Sequence, residues 1–377
     1  MRLVTHRSDL AAALQTVERA VSTRQTIPIL SGVLLDAGKG QLRLYATDLE
    51  LSIECRIPAQ VEDEESTVLD ARYLNQIVRR FSEEEVYIEK SSESGVAQVR
   101  AGSSRLSLHY QDPGDFPQLP PVESEYGFTI SQKTLFNMIR STLFATANDP
   151  GRPFLTGVLF EIEPGEIRLV STDGNRLALH RHAWDEKESP PAGSFRAIVP
   201  ARSLGELLRA GVVPPMEDEG DIQVTVRLDS RQASFSWPSY QLVTRLIEGQ
   251  FPNYRPVIPA HQRITVVVPR EALLSAVERT AILSRSGAVF TSLMLENGLL
   301  HLRSREADVG QVEEEIQVTY EESPFETAYQ ARFLTDVLRV LTSEEIMLGL
   351  DASLSPGTLR PVGQDDYVYV MMPVRVG

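Results

Sequence analysis

Three short segments of this sequence are near-copies of one another at equal spacing. They are ARYLNQIVR (Ala71 to Arg79), ARSLGELLR (Ala201 to Arg209) and ARFLTDVLR (Ala331 to Arg339), each 130 residues after the one before. A fixed long period constrains architecture more than any local propensity, because each copy must be a folding unit of the same kind. Further repeats support it: LQTVER from Leu14 recurs as LSAVER from Leu274, 260 residues on. GVLLD from Gly32 and GQLRLYATD from Gly40 match GVLFE from Gly157 and GEIRLVSTD from Gly165, with a weaker echo in SLMLE from Ser292 and GLLHL from Gly298. The Pro-rich segments DFPQLPP (Asp115 to Pro121) and QFPNYRP (Gln250 to Pro256) read as extended linkers between copies. Three homologous domains are expected, at 1–122, 123–260 and 261–377.

Within a copy the pattern is constant. SDLAAALQTVERAV (Ser8 to Val21) sets Leu10, Leu14, Val17 and Val21 on one helical stripe, with Ser8 as the expected N-cap. Alternating strands follow (Leu42 and Leu44; Leu51, Ile53, Cys55 and Ile57), then the Ala-Arg-x-Leu helix, then strands such as VYIE (Val86 to Glu89) and RLSL (Arg105 to Leu108). Each domain is therefore α+β, with strands outnumbering helices. On the repeated helix Arg72 and Arg79 lie about 20° apart, opposite Leu74, Ile77, Val78 and Phe81, which must pack on the sheet. The same holds for Arg202 and Arg209 against Leu204, Leu207 and Leu208, and for Arg332 and Arg339 against Leu334, Val337 and Leu338. A single exposed arginine on a helix is most often only a solvated side chain. Triplication points instead to a surface that must look alike from three domains. Guanidinium forks suit phosphate oxygens, and contacts to phosphate carry no base information, so the expected partner is nucleic acid bound without sequence preference.

The charge balance argues the other way at first sight: 37 basic against 52 acidic side chains give −15, whereas phosphate binding rests on Lys and Arg. The acid, however, is clumped at Glu62 to Glu65, Glu83 to Glu85, Glu217 to Asp221 and Glu313 to Glu315, and binding depends on where the basic groups lie. Nothing approaches the ~18 apolar residues of a membrane span, and MRLVTHRSDL lacks the apolar core of a secretion signal, so a cytoplasmic location is expected. The lone Cys55, in the alternating run LELSIECRI, reads as a buried small hydrophobe and excludes an internal disulfide. No phosphate-binding loop, dinucleotide fingerprint, H-E-x-x-H or G-x-S-x-G occurs. His180 and His182 share a strand face without a third ligand nearby, so no metal, cofactor or catalytic residue is expected. The competing reading is a protein-only repeat scaffold whose arginines meet acidic partners.

TIPIL (Thr26 to Leu30), TDLE (Thr47 to Glu50), DFP (Asp115 to Pro117), TDGNRL (Thr172 to Leu177), IVP (Ile198 to Pro200), FPNY (Phe251 to Tyr254), AILS (Ala281 to Ser284) and VMMPVR (Val370 to Arg375) occur in order and in the right copies. With them the whole chain resembles the bacterial DNA polymerase III beta subunit family, the beta sliding clamps. The resemblance implies three clamp domains per chain, each of two helices packed on antiparallel sheets. Two protomers would join head to tail in a six-domain ring around duplex DNA, as a non-catalytic processivity factor for the replicative polymerase. The arginine-bearing helices would line the hole and the acidic runs would lie outside, which would account for −15. DNA contacts would come from Arg72, Arg79, Arg80, Arg202, Arg209, Arg332 and Arg339, joined by Arg24, Arg152 and Phe154, where some relatives carry paired aromatics in place of Pro153 and Phe154.

The same resemblance implies a pocket for short linear motifs of client proteins, built from Leu155, Thr172, Gly174, Asn175, Arg176, Leu177, Pro252, Val257, Val370, Met372, Pro373, Val374 and Arg375. Asn175 stands where some relatives have His. Thr172-Asp173 also repeats Thr47-Asp48, so that pair reads equally as a hairpin closure. Clients would be the replicative polymerase catalytic subunit, the clamp-loader ATPase, translesion polymerases, ligase and mismatch-repair proteins, meeting the ring at replication forks on the nucleoid. The seam of the homodimer would pair Leu106 and Leu108 with Ile282 and Leu283.

Overall fold

Among the described residues, the alternating apolar runs form antiparallel strands and the 3.6-period runs form six short helices. These features come from a computed structural model, which describes residues 1–22, 27–91, 95–120, 122, 126–210, 222–282, 290–306 and 309–374. The helices are α1 (Arg7–Val17), α2 (Ala71–Val78), α3 (Gln132–Leu143), α4 (Ala201–Ala210), α5 (Arg270–Ala281) and α6 (Ala331–Val340). The chain divides into two compact units: Met1–Leu135, Asp185–Gly193 and Arg202–Leu246 in the first, and Phe136–Trp184, Ser194–Ala201 and Ile247–Gly377 in the second.

The first unit holds a five-stranded sheet in the order 60–63, 2–6, 85–91, 96–101, 104–109. Its second sheet has eight strands in the order 126–131, 223–228, 232–237, 240–245, 51–58, 41–47, 32–38, 65–70. The larger sheet is thus made of four strands from the second sequence repeat and four from the first, joined where Tyr240 stands opposite Cys55 and Leu242 opposite Ile53. The second unit repeats the device. Its eight-stranded sheet runs 195–200, 157–162, 166–172, 176–183, 367–371, 357–361, 345–350, 264–269, and is joined where Tyr367 stands opposite His180. A four-stranded sheet runs 310–317, 299–306, 290–296, 325–330.

The helices lie where their patterns direct. In α2, Leu74 and Val78 are fully buried and Phe81 nearly so, while Arg72 and Arg79 are exposed; Ile77 sits half-buried at the rim. Asp70 caps this helix by accepting from the Tyr73 amide at 3.0 Å. Leu204 and Leu207 in α4, and Leu334, Val337 and Leu338 in α6, take the same inward positions. α1 packs against α2, and α5 against α6.

One expectation fails at α1. The strand Arg2–His6 runs straight into the helix, so His6 occupies the N-cap position without a side-chain bond to the helix backbone, and Ser8 lies in the first turn with its hydroxyl between His6 Nδ1 and Asp9. Tertiary contact replaces capping there: the Arg7 amide donates to Glu84 O at 2.7 Å. The helix also tightens into a 3₁₀ turn over Glu18–Ala20, which leaves Val21 outside it. Cys55 is fully buried as expected, and burial pushes its thiol up to about 12, so it stays protonated and inert at neutral pH.

The repeated glycine of the GVL motifs has a steric cause. A Cβ on Gly32 would fall 2.5 Å from Val68 Cγ1, and one on Gly157 would fall 2.5 Å from Val199 O, a backbone atom of the neighbouring strand. Gly157→Ala should therefore cost roughly 1 to 3 kcal/mol of stability through overpacking. Gly165→Ala, where no atom lies within 4 Å, should leave thermal melting almost unchanged. Equal melting of the two variants would refute this account.

Candidate functional site

Two kinds of surface carry the residues singled out in the sequence: a cavity in the second unit and the arginine-bearing helix faces.

The cavity begins at a turn. Between strands 166–172 and 176–183, Thr172 Oγ1 accepts from the Gly174 amide at 3.0 Å and donates to Arg176 O at 2.6 Å, while Asp173 Oδ1 accepts from the amides of Asn175 and Arg176. The first repeat builds the same turn: Thr47 Oγ1 accepts from Leu49 N and donates to Leu51 O, and Asp48 Oδ1 caps Glu50 N and Leu51 N. The Thr-Asp pair is thus a hairpin closure in both copies, and what is specific to the second lies around it. Gly174 has φ +96, and a Cβ there would approach Arg152 Nη1 to 3.1 Å. Leu155, Thr172, Gly174, Asn175, Arg176, Leu177, Pro252, Asn253, Tyr254, Val257, Val370 and Met372 then enclose a mostly apolar cavity of about 180 Å³. The Met372 amide donates to Asn175 O at 2.8 Å and ties the last strand to the turn.

Ten of the pocket residues named from the sequence thus meet around one space. Pro373 and Val374 follow the last strand, which ends at Met371, and do not line the cavity, and Arg375 lies outside the described residues. Asn253 and Tyr254 were missed. Their signal was an aromatic and an amide inside a Pro-rich connector that reads as a plain linker.

Arg176 is the charged group of the cavity wall, and it is only 5% exposed. Its Nε donates to Asp173 Oδ2 (3.0 Å), Nη1 to Asp336 Oδ2 (2.7 Å) and Nη2 to Phe144 O (2.7 Å). The guanidinium lies 5.5 Å from the Phe144 ring centre and 5.0 Å from that of Phe333. Burial works against the charge, but Tyr369, Asp336 and Asp173 outweigh it and move the pKa up. The cation is therefore fixed and internally compensated. It offers little charge to a ligand, so the cavity suits an apolar side chain. Beside it, Arg152 is paired with Asp149 at 2.9 Å, and Phe154 is half-buried against the apolar cluster of Leu159, Leu177 and Tyr254.

On the helix faces all six repeated arginines are exposed. The expected bare stripe is modified by carboxylates: Arg202 meets Asp48 at 2.6 Å, Arg209 meets Glu206 at 2.7 Å, Arg332 meets Asp336 at 3.3 Å and Arg339 meets Glu278 at 2.8 Å. Arg72 and Arg79 have no carboxylate partner among the described residues, and Arg80 donates to Gln76 O. Arg339 with Glu278 is exposed on both sides, and a pair of this kind is worth about 0 to 1 kcal/mol, so phosphate can displace that carboxylate; the side chains of Asp48, Glu206 and Asp336 are largely buried, and only the arginines of those pairs face solvent. Arg24 and Leu283 lie outside the described residues. Leu106 and Leu108 are half-buried along the edge strand Ser104–His109, and Ile282 is 76% exposed at the end of α5. No metal-holding cluster occurs among the described residues, and His180 is held by the Ser141 hydroxyl at 2.7 Å and packed edge-on against Tyr367.

Models of the DNA polymerase III beta subunit match the chain in three parts: the N-terminal domain over 1–120, the central domain over 129–253 and the C-terminal domain over 255–375. The chain is 33% identical to the beta sliding clamps of Synechococcus elongatus and Pseudomonas aeruginosa, over the full length of both partners in each case. Among solved structures it is similar to the sliding clamp of Bacillus subtilis (TM-score 0.91, 27% identity) and to that of Pseudomonas aeruginosa bound to griselimycin (TM-score 0.92, 31% identity), again over the whole of each chain.

Asp336 serves a buried and an exposed arginine at once, and the two roles separate by energy. Asp336→Asn should lower stability by about 1 to 3 kcal/mol, because it leaves Arg176 short of a carboxylate. Arg332→Ala should cost less than about 0.5 kcal/mol. Equal losses in chemical denaturation would mean that Asp336 acts only through the surface pair.

Proposed function

The chain belongs to the DNA polymerase III beta-subunit family, and from that premise we propose how its own residues perform the work. Its function is that of a DNA sliding clamp, a non-catalytic processivity factor of three clamp domains, with DNA and polymerase as partners and a ring as its assembly. The domain limits at 122 and 260, the residues of each surface and the finer partners are the proposal.

The observation that carries the ring reading is the repeated sheet junction. Strand 51–58 of the first copy is covered by 240–245 of the second, and 176–183 of the second by 367–371 of the third. The equivalent strand of the third copy, Gly310–Gln317, pairs only with 299–306, and the first copy's Ser104–His109 pairs only with 96–101, among the described residues. One chain therefore ends with one uncovered edge of each kind, which is what head-to-tail closure with a second copy requires. Carrying over the register of the two internal junctions sets Ser104 against Glu314, Arg105 against Glu313, and half-buried Leu106 against half-buried Val312. Ile282 and Leu283 would add the apolar contact from the end of α5.

Inside such a ring the six helix arginines, with Arg24, Arg80, Arg152 and Phe154, would meet the DNA backbone without reading bases. The cavity around Leu177 would take short linear motifs from the polymerase catalytic subunit, the clamp loader, translesion polymerases, ligase and mismatch-repair proteins. Its place of action would be the cytoplasm, at replication forks.

Two measurements test this. The mass in dilute solution should be that of a dimer. Arg105→Glu should weaken the dimer, and adding Glu313→Arg should restore it; failure of the swap would reject the register. Loaded by a clamp-loader ATPase onto a nicked circular plasmid, the protein should stay bound until the DNA is linearised. Reversal of Arg72, Arg202 and Arg332 to Glu should abolish that retention without altering the dimer, and normal retention would remove these residues from the DNA surface.

A further inference from the structure

We propose that Glu161 is a positioning residue for the cavity, holding the wall formed by Pro252–Val257 and so setting how tightly an apolar ligand is gripped; the idea rests on the cavity being the client pocket.

The wall is an extended strap rather than a strand. It contains one 3₁₀ turn, Arg255–Val257, and its backbone bonds are local, from Val257 N to Tyr254 O at 3.0 Å and from Ile258 N to Arg255 O at 3.3 Å. Apolar anchoring comes from Phe251, Tyr254 and Ile258 on the cluster around Leu159 and Val370. Among the described residues, the side-chain hydrogen bonds and ion pairs that tie the strap to the sheet all end on one carboxylate. Glu161, on strand 157–162 and only 2% exposed, accepts from the Tyr254 hydroxyl and from Arg255 Nη2 at 3.2 and 3.3 Å. Arg196 Nη2 at 2.5 Å and Arg168 Nη1 at 3.6 Å complete its surroundings.

A buried carboxylate with these partners is strongly directional, because charge-assisted bonds are shorter and stronger than neutral ones and an unmet buried charge is costly. Tyr254 is 4% exposed and presents its ring to the cavity between Asn253 and Val257. Burial, with the hydrogen bond to Glu161, lifts its hydroxyl to about 12, so it is a neutral donor at physiological pH. A strap with no strand partner opens at low cost once its tether is cut, and then the ring no longer stands at a fixed place. Glu161 touches no ligand; it acts through Tyr254 and Arg255.

Griselimycin serves as probe on the full-length dimer, with binding measured by calorimetry. Glu161→Gln and Tyr254→Phe should each weaken it about tenfold, and the double variant should be no weaker than the worse single one, since both cut the same tether. Amide exchange should quicken in 250–258 and stay unchanged in 166–172, which separates loss of the tether from general unfolding. Leu177→Ala, a direct cavity contact, should weaken binding additively with Glu161→Gln. Unchanged binding in both tether variants, or additivity between them, overturns the positioning role. If the unaltered protein fails to bind, or Leu177→Ala has no effect, the pocket reading itself falls and this inference with it.

Discussion

A strand edge is a row of unpaired amides and carbonyls that will recruit another strand unless it is covered, and the chain is organised around meeting that requirement. The second and third copies each finish with a strand that covers the preceding copy, so two sheets of eight strands are shared between copies. The sequence period is therefore not the period of packing. The boundary between compact units passes through the second copy, because four of its strands belong to the sheet begun by the first and four to the sheet completed by the third. Among the described residues, Gly310–Gln317 and Ser104–His109 are the two strands whose counterparts in the other copies are covered at a junction while they themselves pair on one side only.

The same ionic chemistry serves opposite ends at different depths. An exposed pair such as Arg339 with Glu278 holds its arginine in place at low energy. Arg176 is the reverse: desolvated, stacked between two rings and held by three acceptors, it is part of the frame. Asp336 joins the two regimes, since one of its oxygens receives both Arg176 and Arg332. Pairing with these arginines leaves the net charge of −15 unchanged, so the acidic excess resides on other carboxylates.

How much was legible follows from the range of each signal. The outward direction of Arg72, Arg202 and Arg332 was readable because helical periodicity is local and the inward leucines fix it. The hairpin at Thr172 was readable because Thr and Asp bond their own backbone two to four residues on. The start of α1 differs from the local pattern for the opposite reason: Glu84, far along the chain, accepts from the Arg7 amide, and the helix begins there without a side-chain cap. Joining of sheets between copies, the burial of Arg176 and the inward turn of Tyr254 all depend on partners more than 90 residues away, and no spacing rule reaches so far.

The two Thr-Asp turns show how a repeated element comes to border a cavity in the second copy. Both turns make the same bonds, yet the third position is Leu49 in the first and Gly174 in the second, each with positive φ. A leucine pays about 1 to 2 kcal/mol for that conformation, so the first turn tolerates strain that the second avoids. Relief of strain alone does not explain glycine at 174, because the first copy folds without it. The difference is Arg152, whose Nη1 fills the space a Cβ would need, next to the cavity opened by Leu155 and Val370. The turn is thus common scaffold, and in the second copy the lack of a side chain at 174 leaves room for Arg152 beside a cavity walled by the apolar strap.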